Sequence, residues 1–456
     1  MEKLWKQQTL SITTNRSTFN ALVGNFQRHA CWDSSGYVYI LTAEDNGSGA
    51  TKRIAVYRSV NAGFDLSAGF TFQADTSTGY GFDEDEIDSL TEFSAVLRND
   101  KIYIVATFSD LPSVISGIIL ISYDINGKEF TKLDYRASVG GGSPTRYVNS
   151  VDLSAAPLRA NGDIIASWLE YNSVSNPSII NRRWLRQMLP VSSSAGSGGI
   201  GYIDDTLPSG QYMHPSFMNN FDGDSELWGI MKLQDISPGS GFSLINIPRS
   251  LIRGSTSAPN IITLGDSTAE SFGNFKALYN PKFNLELMAY WRILESPKAG
   301  WELVLGVRSP DGIFSSFSIV EFDYSNLGVT DVLTDLPDVH PEVLLILDDM
   351  GGVYVIGSYP SPGSMPLSGS SEIGEIDNPY YNIALAYWAS DDFDSLSGAN
   401  YETVWNGQAE GTQLRFLSAP DMFPAGDYSA IRSSKLFITC VDTYNHPSGQ
   451  AVLYRD

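Results

Sequence analysis

Residues 93–108 read FSAVLRNDKIYIVATF: an apolar run, the dipeptide Asn99-Asp100, then a second run of β-branched and aromatic residues. Two such runs joined by Asn and Asp predict a β-hairpin, because these side chains tolerate the positive φ of a tight turn. Beyond the hairpin, GIILISYD and FTKLDYR supply two further strands, so the unit is four antiparallel strands, A to D. The pattern recurs at His29 (HACWDSSGYVYILTAE), Val151 (VDLSAAPLRANGDIIASW), His214 (HPSFMNNFDGDSELWGIM), Phe275 (FKALYNPKFNLELMAYW), His340 (HPEVLLILDDMGGVYVIG) and Tyr428 (YSAIRSSKLFITCVD). Successive starts lie 64, 58, 63, 61, 65 and 88 residues apart, and Tyr428 is another 57 from His29 through the C-terminus. Periods of this length predict an all-β chain, a seven-bladed β-propeller of four-stranded antiparallel blades.

The last copy stops at AVLYRD, which is its strand C, while LWKQQTLSI (4–12) precedes the first strand A. The N-terminal strand is therefore expected to complete the last blade and close the ring, leaving no sheet edge open there. On this reading residues 1–456 are one propeller. Segment 1–28 carries the closing strand, and blades start near 29, 93, 151, 214, 275, 340 and 428.

Composition narrows the function. The 29 basic residues against 52 acidic ones give a net charge of −23, which excludes a phosphate-backbone partner such as nucleic acid. No signal peptide is visible in MEKLWKQQTLSITT, and the longest apolar run, in SVISGIILISY, is too short to span a bilayer. The expectation is a protein made in the cytoplasm without membrane insertion. The two cysteines, Cys31 and Cys440, fall in the first and last copies, which a ring makes neighbours. A bridge locking the closure and two buried free thiols are both open.

Loop lengths are asymmetric. A–B turns are short, whereas the D–A connections and the sixth B–C connection, YPSPGSMPLSGSSEIGEIDNPYY, are long. These lie on one face of a propeller, the candidate working surface. Tyr171, Tyr359, Tyr380, Tyr381 and Tyr444, with His446, border the B–C connections there. Such tyrosines either stack on sugar rings or cap the blade ends as core. His29, His214 and His340 share one repeat position at the channel mouth, where a metal would find three imidazoles. Phe93, Phe275 and Tyr428 fill the same position elsewhere, which favours plain aromatic packing. The clusters Asp83, Asp85, Asp88 and Asp222, Asp224, Glu226 offer alternating carboxylates that suit Ca²⁺, or are merely solvated. No other cofactor is expected, since no Walker loop, dinucleotide fingerprint, Gly-x-Ser-x-Gly elbow or HExxH occurs.

SVNAGFDL (59–66) resembles the Asp-box of sialidase-type propellers, with Asn61 in the Asp position and Leu66 in the aromatic one. SYDINGKEF and RSPDGIF are looser echoes at the same turn. The resemblance implies a structural turn remote from any active site. A sialidase would also require three arginines on a substrate carboxylate. Arg28 and Arg146 stand near strand-A starts, but a third is missing, and that family has six blades. The reading is thus a non-enzymatic binding or assembly propeller. It resembles virion-associated propellers of tailed phages, which dock to other virion proteins or to host surface glycans. The virion, or otherwise the cytoplasm, is then the expected location. The alternative is a sialidase-like or lyase-like carbohydrate-active enzyme using Arg28 and Arg146.

Overall fold

The computed structural model describes residues 5–10, 18–19, 28–45, 51–77, 79–80, 89–110, 115–137, 147–155, 164–171, 180–189, 201–203, 211–220, 226–234, 242–248, 260–264, 269–294, 300–308, 315–323, 342–360, 381–388, 399–412, 414–423, 435–442 and 449–455. Their strands group into seven sheets, each built on up-and-down antiparallel strands taken in chain order. Sheet two shows the pattern: FSAVLR, KIYIVATF, GIILISYD and FTKLDYR fall in Ser89–Arg98, Lys101–Asp110, Ile115–Asp124 and Glu129–Ala137. Sheets three, four, five and six repeat it, beginning with Tyr147–Ala155, Gln211–Asn220, Ala269–Asn280 and Glu342–Asp348.

Sheets two and six each add a fifth, parallel edge strand, Gly79–Tyr80 beside Glu129–Ala137 and Met422–Phe423 beside Glu342–Asp348, and sheets one and seven depart further from the plain order. In sheet one, Thr18–Phe19 and Ala30–Trp32 share the edge of Val38–Asp45. Sheet seven runs Leu414–Ser418, Phe437–Asp442, Gly449–Arg455 and then Trp5–Thr9, with Trp5 opposite Arg455 and Thr9 opposite Ala451. The sequence start at Tyr428 lies outside the described residues. Among them the strand beside Phe437–Asp442 is Leu414–Ser418.

Both faces of a sheet pack over its inner strands, which are largely apolar, as in Glu342–Asp348, while outer strands such as Trp5–Thr9 and Asn400–Asn406 include exposed positions. In Val38–Asp45, Val38 and Ile40 join the core shared with sheets six and seven, while Tyr39, Leu41 and Ala43 join the core shared with sheet two. In Glu342–Asp348, Leu344 and Ile346 face the first of these cores, and Val343, Leu345 and Leu347 pack with sheet five. The first strands of consecutive sheets touch one another, from Ala30–Trp32 through to Leu414–Ser418.

The A–B hairpins are locked locally. Asn99 and Asp100 take φ of 50° and 58°, the paired left-handed torsions of a two-residue turn. In sheet one, Asp33 Oδ1 accepts from the backbone N–H groups of Ser35 and Tyr37, and Oδ2 accepts from Tyr39 Oη at 3.0 Å. Asp348 repeats this with Met350, Gly352 and Tyr354. The Asp-box-like turn docks on the hairpin beside it, with Gly63 and Phe64 N–H donating to the Ser35 and Gly36 carbonyls. Gly36 has φ of 75° and no room for a Cβ, which would stand 2.8 Å from Gly63. In sheet two the Ile125 N–H donates to the Asp100 carbonyl in the same manner.

Cys31 and Cys440 are buried free thiols, which closes the disulfide alternative. Among the described residues no helix is long and apolar enough to cross a membrane. The helical turn Gly407–Glu410 is capped by Asn406, whose side chain accepts from the Ala409 N–H.

Candidate functional site

The first strands converge on a buried ionic network. Arg28 precedes Ala30–Trp32 and is held by its own backbone: its N–H donates to Ser94 Oγ and its carbonyl accepts from Ala95 N–H. Its guanidinium donates through Nε to Asp421 Oδ2 at 2.6 Å and pairs with the same oxygen through Nη2. Nη1 donates to the Leu153 carbonyl in sheet three. Lys276 Nζ, from sheet five, stands 3.0 Å from Asp421 Oδ1. Asp421 follows the first strand of sheet seven, and its carbonyl accepts from Leu347 N–H in sheet six. One carboxylate therefore joins cations from two sheets.

The electrostatics follow from burial. The Arg28 and Lys276 side chains are 4% and 3% exposed, whereas Asp421 keeps 21%. Burial pushes the Asp421 carboxyl up. Arg28 and then Lys276 outweigh it, by charge and hydrogen bonding, and hold the group below the ordinary carboxylate range. The site can bind and orient negative charge, and at present it does so with its own aspartate.

His29 sits beside this network but takes a packing role. Its ring stacks on Phe93 with centroids 3.9 Å apart and planes within 6°, Nε2 meets the Phe93 carbonyl at 3.1 Å, and its backbone N–H donates to Ser418 Oγ. Burial, partly opposed by the bond to Phe93, lowers its pKa to about 3. His340 lies outside the described residues, and so does the side chain of His214, on strand Gln211–Asn220. Among the described residues no three His, Cys, Asp or Glu side chains gather as a metal site.

The remaining candidates separate. Arg146, Tyr380, Tyr444, His446, Asp83, Asp85, Asp88, Asp222 and Asp224 lie outside the described residues. The backbones of Tyr171 and Glu226 fall at the ends of strands Ile164–Tyr171 and Glu226–Gln234, with their side chains outside the description. Tyr359 is half-buried with its ring 6.4 Å from Trp291. Tyr381 is 1% exposed, a core position that leaves it no face for a sugar.

Sequence reading missed Asp421, Lys276 and Glu342. The Glu342 carboxylate accepts from the Phe416 and Leu417 N–H groups, each at 2.8 Å, tying sheet six to the first strand of sheet seven. Glu402 does the same at the chain ends: it accepts from Trp5 Nε1 at 2.6 Å and pairs with Arg455 at 2.9 Å. The signal available for these acids was an ionisable residue inside or beside an apolar strand.

No family model and no curated protein matches the chain. Among solved structures it is similar to the phage phi92 endosialidase, with 11% identity, 99% of this chain and 69% of that one covered, and a TM-score of 0.42. It is also similar to the Penicillium chrysogenum α-L-arabinanase complexed with arabinobiose, with 10% identity, coverage of 84% and 99%, and a TM-score of 0.44. A thermostable family-43 glycoside hydrolase gives 11% identity, coverage of 68% and 95%, and a TM-score of 0.36. Likeness of this degree carries no argument about activity.

Proposed function

We propose that the seven sheets are the blades of a closed propeller, with Trp5–Thr9 as the outer strand of the last blade, and that the protein is a non-enzymatic binding or assembly module. Its partners are surface glycans or other proteins of an assembly. By the resemblance drawn from the sequence, that assembly is the particle of a tailed phage. The ring is supported by the contacts between consecutive first strands and by the pairing of Trp5–Thr9 with Gly449–Arg455. The binding reading rests on one observation. Arg28, the described member of the arginine pair an enzyme would use, is 3% exposed and already engaged by Asp421 and the Leu153 carbonyl. An arginine held this way fixes a scaffold and presents nothing to a substrate.

A second reading, a carbohydrate-active enzyme, is favoured by the residual exposure of Asp421 between two cations. A glycan array scored for retention and, by mass spectrometry, for released sugar separates the two. Retention without release is the expected result. Release that Asp421→Asn abolishes would establish the second reading instead, and silence on every glycan would leave a protein partner as the remaining form of the first.

A further inference from the structure

Arg415 is the second residue of the first strand of sheet seven, Leu414–Ser418, and is held unlike the ion-paired arginines. Its guanidinium carbon lies 5.2 Å from the centroid of Tyr381 and 5.3 Å from that of Phe416, so two rings flank it. The Nε is enclosed and makes no hydrogen bond, and no carboxylate pairs with this guanidinium among the described residues. Arg28, Arg53 and Arg455 each hold a carboxylate, in a chain with 52 acidic residues. Among the described residues the charge on Arg415 therefore stands without a carboxylate.

The backbone around it is strained and clamped. Phe416 takes φ of 59°, a left-handed torsion that costs an aromatic residue about 1–2 kcal/mol. The strand register shifts between Arg415 and Ser418. Glu342 secures this bulge with both carboxylate oxygens on the Phe416 and Leu417 N–H groups. Tyr381, the other ring, is fixed beneath the helical turn: a Cβ at Gly407 would collide with the Tyr381 carbonyl oxygen. Rings from two sheets thus lie against one guanidinium, at the cost of local strain. Stacking of this kind removes side-chain entropy in advance and leaves the Nη edge as a planar donor pair for an oxyanion.

We propose that Arg415 is an anion-recognition residue, taking a carboxylate or a sulfate ester of a bound ligand. The site is separate from the network around Arg28 and does not depend on the partner being a glycan. Isothermal titration of the full chain with inorganic sulfate and, separately, with glucuronic acid tests it and distinguishes the two oxyanions. Saturable heat with at least one is expected, weakened about tenfold or more in Arg415→Gln, as loss of a charged hydrogen bond predicts. Arg58→Gln, whose guanidinium lies over the single ring of Tyr37, should bind as the parent does. Phe416→Gly relieves the torsion and removes one ring while keeping the charge, so it should bind more weakly without losing stability. Wild-type silence toward both anions, or equal binding by Arg415→Gln, overturns the proposal. Sulfate binding at Arg415 with no glycan retained would instead remove the glycan reading and leave this site standing.

Discussion

Two arginines in this molecule teach what the surrounding residues do with a cation. Arg28 is enclosed where first strands converge, and its guanidinium reaches one carboxylate and one backbone carbonyl. Arg415 is half-buried between Tyr381 and Phe416, with no carboxylate partner among the described residues. The first has exchanged hydration for fixed protein partners, so its removal takes one of two cations from Asp421. The second has exchanged part of its hydration for ring faces, so its removal strands no charge among the described residues. Burial with a partner makes a scaffold, and stacking without one makes a receptor.

The largest expected effect follows directly. Arg28→Met should cost about 3–5 kcal/mol, the usual penalty for breaking one side of a buried ion pair, read as a fall in the urea midpoint at constant m-value. A loss below about 1 kcal/mol would remove the distinction between the two arginines.

Acid should expose the same region. The folded protein holds the His29 pKa at about 3, against 6.5 ordinarily. Between those values the unfolded chain binds a proton that the folded chain does not, so stability falls as pH falls, by about 1.4 kcal/mol per pH unit. Asp421 acts in the same direction. Its depressed pKa stabilises the fold above the ordinary carboxylate range, and that contribution is lost as pH falls through the folded value. Urea midpoints from pH 7 to pH 4 should therefore drop steeply in the parent and more gently in His29→Phe. Parallel curves would mean that His29 is not held neutral.

The chain ends offer an intermediate case, a carboxylate shared by an indole and a guanidinium. Glu402→Gln should cost about 1–3 kcal/mol. Hydrogen exchange should locate the loss in Trp5–Thr9 and its partner Gly449–Arg455, which protect one another by pairing. Uniform loss of protection across all sheets would show that this junction opens only with the whole fold. The smallest effect belongs to Arg415→Gln, expected within about 0.5 kcal/mol of the parent in the same urea assay. A cost above about 2 kcal/mol would make Arg415 a structural residue like Arg28.

Much of the fold was legible because local rules agree with it. Asn99-Asp100 announces its hairpin, and the four runs around it are strands in the structure. The spacing Asp33-x-x-Gly36-x-x-Tyr39, repeated as Asp348-x-x-Gly351-x-x-Tyr354, was equally open to view and encodes one shared turn. The interchange of His29 with Phe93 pointed to packing, and the two rings are stacked on each other. The candidate site was legible only in part. Arg28 drew notice by its place before a strand, but its partner lies 393 residues away in APDMF, where no pattern marks it. Contacts between first strands of distant sheets leave no period in the sequence. Tyr381 adjoins a long connection, which left a sugar-stacking and a core role both open, and its 1% exposure beneath the turn at Gly407 makes it core. Nothing in LRFLS suggests that Phe416 adopts a left-handed torsion, since Glu342 stabilises it from another sheet.

The most direct test of the central claim, that Arg28 is committed to Asp421 rather than to a ligand, is a double-mutant cycle. Arg28→Met, Asp421→Asn and the double variant would be compared by equilibrium urea unfolding. Each single change should be costly, and the double variant should be no worse than Asp421→Asn alone, because Lys276 loses its carboxylate equally in both and Arg28 is no longer left facing an amide. Parental stability in Arg28→Met, together with loss of glycan retention or release in that variant, would contradict the account and make Arg28 a ligand-facing residue.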